Sequence, residues 1–249
     1  MENKYRLGLV SVSFRNHTPE NILRAMRDAG LSVIEWGSDV HAPYTDKEKL
    51  SEIAKLQKEY GIECSSYGTY FDFGKHRIEE LPGYIEAAKI LGTDILRLWC
   101  GNKSGKDMTG EEKEEFFALC KTAAKIAEQS GVILCMERHE HSFTERAEDV
   151  VELMNTVNSP NFRMYWQPAL AFSAEENVEM AKILAPYTEN IHVFNYHDNA
   201  RHTLFEVVDR WRMYLKEFST PRTLLMEFLP DNRLETLSVE ADALREIVK

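Results

Sequence analysis

The feature that most restricts this chain is a rhythm. Short runs rich in β-branched, leucine and aromatic residues alternate with amphipathic stretches, one pair roughly every 30 residues, along the whole sequence. Parallel strands need a crossover connection, usually a helix, so this alternation implies consecutive βα units and a parallel sheet. The strand candidates are residues 6–14, 32–37, 63–67, 94–100, 132–137, 163–167, 191–196 and 223–228. There are eight of them, the number that closes a barrel. With 249 residues and no stretch that reads as an interdomain linker, the expectation is one (β/α)₈ barrel domain over residues 1–249.

The helical stretches carry their own punctuation. PENILRAMRDAG, KEKLSEIAKLQKEYG and EKEEFFALCKTAAKIAEQSG have apolar residues at helical spacing and a glycine where each helix should stop. Thr45 with Glu48, Thr109 with Glu112, Ser142 with Glu145 and Ser173 with Glu176 read as capping boxes, and Thr18 before Pro19 as a cap with proline at the first helical position. No GxGxxG or GxxxxGK follows a strand, which makes an open nucleotide-binding sheet the weaker alternative.

Composition removes several classes of function. A net charge of -11 opposes nucleic acid as a partner, because affinity for a phosphate backbone comes from lysine and arginine displacing counterions. No apolar segment approaches the roughly 18 uncharged residues of a membrane span, and the opening MENKYRLGLVSVSF lacks a small-residue cleavage site, so neither membrane nor leader is expected. Cys64, Cys100, Cys120 and Cys135 are isolated, with no CxxC pair, which fits a reducing, cytoplasmic setting and core side chains.

In a barrel the chemistry gathers at the C-terminal ends of the strands, so the informative residues are polar ones that interrupt an apolar run as it ends. Glu137 follows ILCM and Glu227 follows TLLM, places where an unpaired carboxylate is costly to desolvate. Either a divalent cation compensates them, magnesium or manganese before zinc given oxygen ligands, or each sits in a buried salt bridge with Arg138, Arg97 or Arg163. Glu35 can likewise be read as paired with Arg6 or Arg97 inside the barrel. Trp99 and Trp36 read either as flat walls for a ring or as packing.

Four segments in order, MERHEHSFT, YWQPALAFSAEEN, IHVFNYHDNAR and LLMEF, resemble the xylose isomerase-like superfamily of sugar phosphate isomerases and epimerases. The resemblance implies metal ligands at the ends of strands five to eight, which by position fall on Glu137, Gln167, Asn195 and Glu227. Gln167 then replaces the usual aspartate and Asn195 the usual histidine, so cation affinity should fall. His197 is the better spare ligand, because strand alternation turns His192 away from the face of Asn195 and His197. The resemblance further implies a small carbohydrate substrate, proton transfer between Glu137 and Glu227 next to a carbonyl, and substrate contacts from His139, Arg201, His202, Trp99, Tyr67, His41 and Glu35. It leaves open a dehydratase using the same residues, a barrel that binds sugar without turnover, and a homo-oligomer.

Overall fold

The computed structural model describes residues 5–249; the first four residues of the opening segment lie outside the described residues. The strands are β1 (Arg6–Val10), β2 (Val33–Gly37), β3 (Glu63–Asp72), β4 (Ile95–Trp99), β5 (Ile133–Glu137), β6 (Phe162–Trp166), β7 (Thr188–Val193), β8 (Tyr196–His197), β9 (Ala200–Arg201) and β10 (Thr223–Met226). All but β8 and β9 form one closed parallel barrel in the order β1-β10-β7-β6-β5-β4-β3-β2, while β8 and β9 make a separate antiparallel hairpin. Helices α1 (Pro19–Asp28), α2 (Lys47–Tyr60), α3 (Leu81–Leu91), α4 (Gly110–Ser130), α5 (Ala147–Val157), α6 (Ala174–Leu184), α7 (Val208–Leu215) and α8 (Leu237–Ile247) follow the eight barrel strands in turn. This is the (β/α)₈ barrel expected from the rhythm.

Strand alternation sorts the side chains into two cores. Outward residues such as Leu9, Ile34, Leu96, Leu134 and Leu224 pack against helix residues such as Ile22, Leu50, Leu153 and Leu244 in one continuous apolar layer. Each such side chain contributes about 1.5–3 kcal/mol through burial. Inward residues Val10, Val33, Cys135, Tyr165 and Leu225 form a second, small cluster inside the barrel. Two residues further along three of these strands come Glu35, Glu137 and Glu227, all buried. The lumen is therefore apolar toward the N-terminal ends and charged toward the C-terminal ends.

Helix boundaries follow local chemistry. Thr18, Thr109 and Ser173 cap α1, α4 and α6 through their hydroxyls, the last two as full capping boxes. Gly61 and Gly131 end α2 and α4 in the left-handed conformation. Two expected caps are corrected. The cap of α2 is Asp46, whose carboxylate accepts from Lys49 N at 3.0 Å. Ser142 instead donates to His139 O at 2.8 Å and accepts from Thr144 N, a local turn that delays α5 until Ala147. Strand limits shift too: β1 gives way to a 3₁₀ turn at Ser11, β3 runs on to Asp72, and β7 starts at Thr188 and ends at Val193.

The four cysteines are free and buried, and burial raises their thiol pKa values, that of Cys64 to about 12. Thiolate chemistry is disfavoured at all four. No helix of the described residues is long and apolar enough to cross a membrane.

Candidate functional site

Five inward side chains, Glu35, Arg97, Glu137, His192 and Glu227, meet just inside the C-terminal mouth. Arg97 on β4 donates from Nε to Glu35 Oε1 at 2.7 Å and from Nη1 to Glu137 Oε2 at 2.5 Å. Trp99 Nε1 donates to the same Glu137 oxygen. The other oxygen, Glu137 Oε1, lies 3.2 Å from His192 Nδ1, and Glu227 Oε2 lies 3.3 Å from that same nitrogen. His192 Nε2 is 3.4 Å from Glu35 Oε2. Glu35 also accepts from Ser66 Oγ at 3.1 Å.

The electrostatics follow from this packing. Burial raises a carboxyl pKa, but the Arg97 guanidinium and His192 together outweigh it, holding Glu137 down at about 2 and Glu35 well below its usual range. Burial pushes His192 down, yet the carboxylates of Glu227 and Glu35 outweigh that and raise it well above its ordinary value. Three buried carboxylates thus face one guanidinium, and the remaining negative charge must be met by a proton on His192 or by a cation.

The residues present fit a divalent cation. Glu137, His192 and Glu227 offer ligand atoms that all lie within 4.8 Å of one another. His192 Nδ1, although close to both carboxylates, has no partner in hydrogen-bond geometry, and the buried Gln167 Oε1 has none either. Gln167 Nε2 donates to Arg138 O at 2.8 Å, which settles the orientation of the amide. Glu35 beside Nε2 favours the tautomer that keeps its proton there and leaves the Nδ1 lone pair free.

Glu137, Gln167 and Glu227 line a cavity of about 300 Å³ together with Arg15, Tyr70, Arg97, Trp99, His139 and Phe228. An adjoining cavity of about 400 Å³ shares His139, Gln167 and Phe228 and adds Arg201 and Tyr196. Both fall within the range of about 300–1,000 Å³ common for small-molecule sites. Arg15 is fixed by Asp39 at 2.5 Å and by Tyr70 Oη at 2.9 Å. Arg201 donates to Asn232 Oδ1 and lies 5.0 Å over the Phe228 ring, with no carboxylate partner among the described residues. Tyr70 and Phe228 hold positive φ angles, both 54°, an unfavourable backbone for an aromatic residue that recurs at working sites.

Measured against the sequence, the structure brings Glu137, Glu227, Gln167, Trp99, His139 and Arg201 to the mouth, and corrects the other expectations. Asn195 is turned outward, donating to Thr203 O at 2.9 Å and Glu206 Oε2 at 3.3 Å. His192 does point opposite to Asn195, but it is His192 whose face looks inward. His192, not Asn195, therefore occupies the inward strand-seven position beside Glu137 and Glu227. Tyr67 is fully buried and donates to Ala42 O at 2.6 Å. His41 packs on Trp36 and contacts His17 O. Trp36 itself is buried, with Nε1 on Gln57 Oε1. Glu35 lies beneath the cavity as the partner of Arg97 and His192, and His202 stacks on His197 away from it. Arg15 and Tyr70 carry no sequence signal of their role, because they reach the mouth from a 3₁₀ turn and from the far end of β3.

The fold and its mouth define a (β/α)₈ barrel with a buried carboxylate–histidine cluster under a small cavity. Residues 23–214 match the family described as xylose isomerase-like TIM barrel, and the chain belongs to that family. Among curated proteins it is similar to a 3-dehydroshikimate dehydratase of Bacillus anthracis, 20% identical over 205 residues, covering 76% of this chain and 71% of the relative. Among solved structures it superposes on the probable 3-DHS dehydratase AsbF, involved in petrobactin synthesis, from Bacillus anthracis, with a TM-score of 0.81, 18% identity and coverage of 97% and 98%. The IOLI protein with a bound zinc atom gives a TM-score of 0.77 at 19% identity, covering 98% of both chains.

Proposed function

We propose that this chain is an enzyme that moves a proton at a carbon next to the carbonyl of a small polyhydroxylated compound, as an isomerase or epimerase does, with a divalent cation held by Glu137, His192, Glu227 and Gln167. The observation that carries this reading is the convergence of Glu137 Oε1 and Glu227 Oε2 on His192 Nδ1, with the unpartnered Gln167 Oε1 lining the same cavity. When bound, the cation supplies stabilisation for the negative charge that develops on the substrate oxygen as the proton leaves carbon.

The chain's own residues divide the remaining work. Arg97 and Trp99 tie one oxygen of Glu137, so its carboxylate is held in one orientation with Oε1 turned to the cluster. Glu227 makes no hydrogen bond to an arginine among the described residues, which leaves it the freer carboxylate to take the carbon-bound proton. Arg201 and His139 stand on the far wall, where a hydroxyl, carboxylate or phosphate of the substrate can be gripped. Trp99, Tyr70 and Phe228 provide flat apolar sides. A second reading is favoured by the dehydratase relative: loss of a hydroxide from the neighbouring carbon after the same proton abstraction gives a dehydratase instead.

The test is deuterium exchange from D₂O into ketohexoses, inososes and 3-dehydroshikimate with added manganese, followed by product analysis. Exchange is expected for at least one substrate class, and Glu227→Gln should slow it roughly 100-fold or more without altering the circular dichroism spectrum. Undiminished exchange in that variant removes Glu227 from the reaction, and equal rates with chelator and with manganese remove the cation.

A further inference from the structure

We propose that His197, His202 and Glu206 form a second metal site, on the side of the β8–β9 hairpin turned away from the cavity, and that it takes a borderline-soft divalent ion such as zinc. The hairpin itself sets up the site. Asp198 and Asn199 both have positive φ, 50° and 56°, the backbone of a two-residue turn that holds strand pairs in tight register. Tyr196 is paired with Arg201 and His197 with Ala200. In an antiparallel pair this register makes His197 and His202 diagonal neighbours on one face and leaves Tyr196 and Arg201 on the other. Tyr196 and Arg201 line the cavity of the proposed reaction, whereas His197, His202 and Glu206 do not.

On the outer face the two imidazoles stack at 3.7 Å with only 5° between their planes. Glu206 comes from the 3₁₀ turn Leu204–Val207. Its Oε2 lies 3.8 Å from His197 Nε2 and 3.9 Å from His202 Nδ1, and the three residues offer ligand atoms that lie within 4.8 Å of one another. A tetrahedral shell with bonds of about 2.0–2.1 Å places its ligand atoms about 3.3–3.4 Å apart, so closure draws Glu206 in by about half an ångström and turns at least one imidazole out of the stack, because parallel rings cannot both point a lone pair at one ion.

The supporting groups are in place as well. His197 Nδ1 is 3.1 Å from Asp198 Oδ2, which favours the proton on that nitrogen and leaves Nε2 as the donor to metal. Asn195 Nδ2 donates to Glu206 Oε2 while also holding Thr203 O, so the carboxylate is steered toward the rings. Two imidazoles and one carboxylate suit zinc better than magnesium or manganese, which prefer oxygen shells. Bound there, the ion would pin the hairpin to the turn before α7 and so fix the wall that carries Arg201. The inference does not depend on the reaction proposed above, because the two clusters share no residue.

The experiment uses chelator-stripped full-length protein titrated with zinc by calorimetry and with cobalt by visible absorption. His197→Ala and Glu206→Gln change exposed side chains, and a Glu137→Gln/Glu227→Gln double variant silences the inner cluster. The double variant should still bind one equivalent of zinc and show tetrahedral cobalt bands, and each outer variant should weaken one equivalent of zinc binding at least tenfold. If the double variant does not fold, the loss of one equivalent on passing from wild type to His197→Ala supports the site equally, and its retention overturns it. The proposal is overturned if a folded double variant binds no zinc at micromolar concentration, or if both outer variants bind as wild type does.

Discussion

Arg97 holds two carboxylates at once, one on each side of its planar fork, and both are buried, Glu35 beneath the cavity and Glu137 at its floor. Removing the guanidinium leaves Glu35 and Glu137 with neutral donors from Ser66 and Trp99 and with His192 as the one group of the cluster able to carry positive charge. Arg97→Leu should therefore lower the unfolding free energy by about 3–5 kcal/mol, the usual cost of stranding buried charge, as read from the urea midpoint. Lysine should not restore the full loss, since a single ammonium cannot serve two carboxylates in a fork geometry. Gln167 is the complementary case. Its carbonyl is a neutral ligand where an anion would serve better, so Gln167→Asp should tighten manganese binding on the order of tenfold, as measured by calorimetry. An unchanged affinity would place Gln167 outside the coordination shell.

At this scale the sequence is legible where a charge follows an apolar run, as at Glu137 and Glu227. It misleads where the inward phase of a strand has to be counted. In β7, Ile191 and Val193 are the apolar, outward pair, and Asn190 and His192 alternate with them toward the lumen. The alternation between His192 and Asn195 holds, but taking Asn195, which lies past Val193 where the strand ends, as the inward residue reverses the phase and puts the expected ligand on the wrong face. Tyr67 and His41 depart from expectation for a different reason: a tyrosine within a strand or a histidine in the loop after one satisfies a carbonyl oxygen as readily as it meets a substrate.

Among the elements, β3 is shaped by what its neighbours carry. A Cβ at Gly68 would come within 2.7 Å of Arg97 Nη2 and 2.8 Å of Glu35 Oε1, so the strand is bare where the ion pair passes. Gly68→Ala should displace that pair, lower the thermal midpoint and slow catalysis together, while the same substitution at Gly110, where the added Cβ meets nothing within 4 Å, should be tolerated. Comparing the two variants by thermal melting checks this. The element pattern itself is readable because helix caps and hydrophobic period agree over most of the chain. The failures are at α2 and α5, where competing serine, threonine and aspartate side chains stand close together and only tertiary context chooses between them. The short hairpin β8–β9 gives no sequence signal because its two residues per strand are too few to show a period.

For the whole molecule, closure leaves the barrel sheet without an edge strand among the described residues, and the barrel should unfold as a unit. Cation binding then couples to global stability. At a free manganese concentration a hundred times the dissociation constant, the folded state gains about 2.7 kcal/mol, or roughly 5–10 °C in the melting midpoint of a chain this size. Differential scanning calorimetry with and without chelator measures it, and coincident curves would mean that no cation binds the native state more tightly than the unfolded one. The eightfold alternation makes this architecture readable from the sequence, since few other arrangements accommodate so many consecutive βα units.

His192 also acts as a calliper. It touches carboxylates that arrive on β2, on β5 and just past β10, from separate parts of the ring, so any ovalling of the cylinder alters the gaps between prospective ligands. Ion preference is then governed partly by the girth of the wall, and the wall is held round by leucines and alanines that never approach the mouth. Trimming that outer belt would retune the inner cage while the chain still folded.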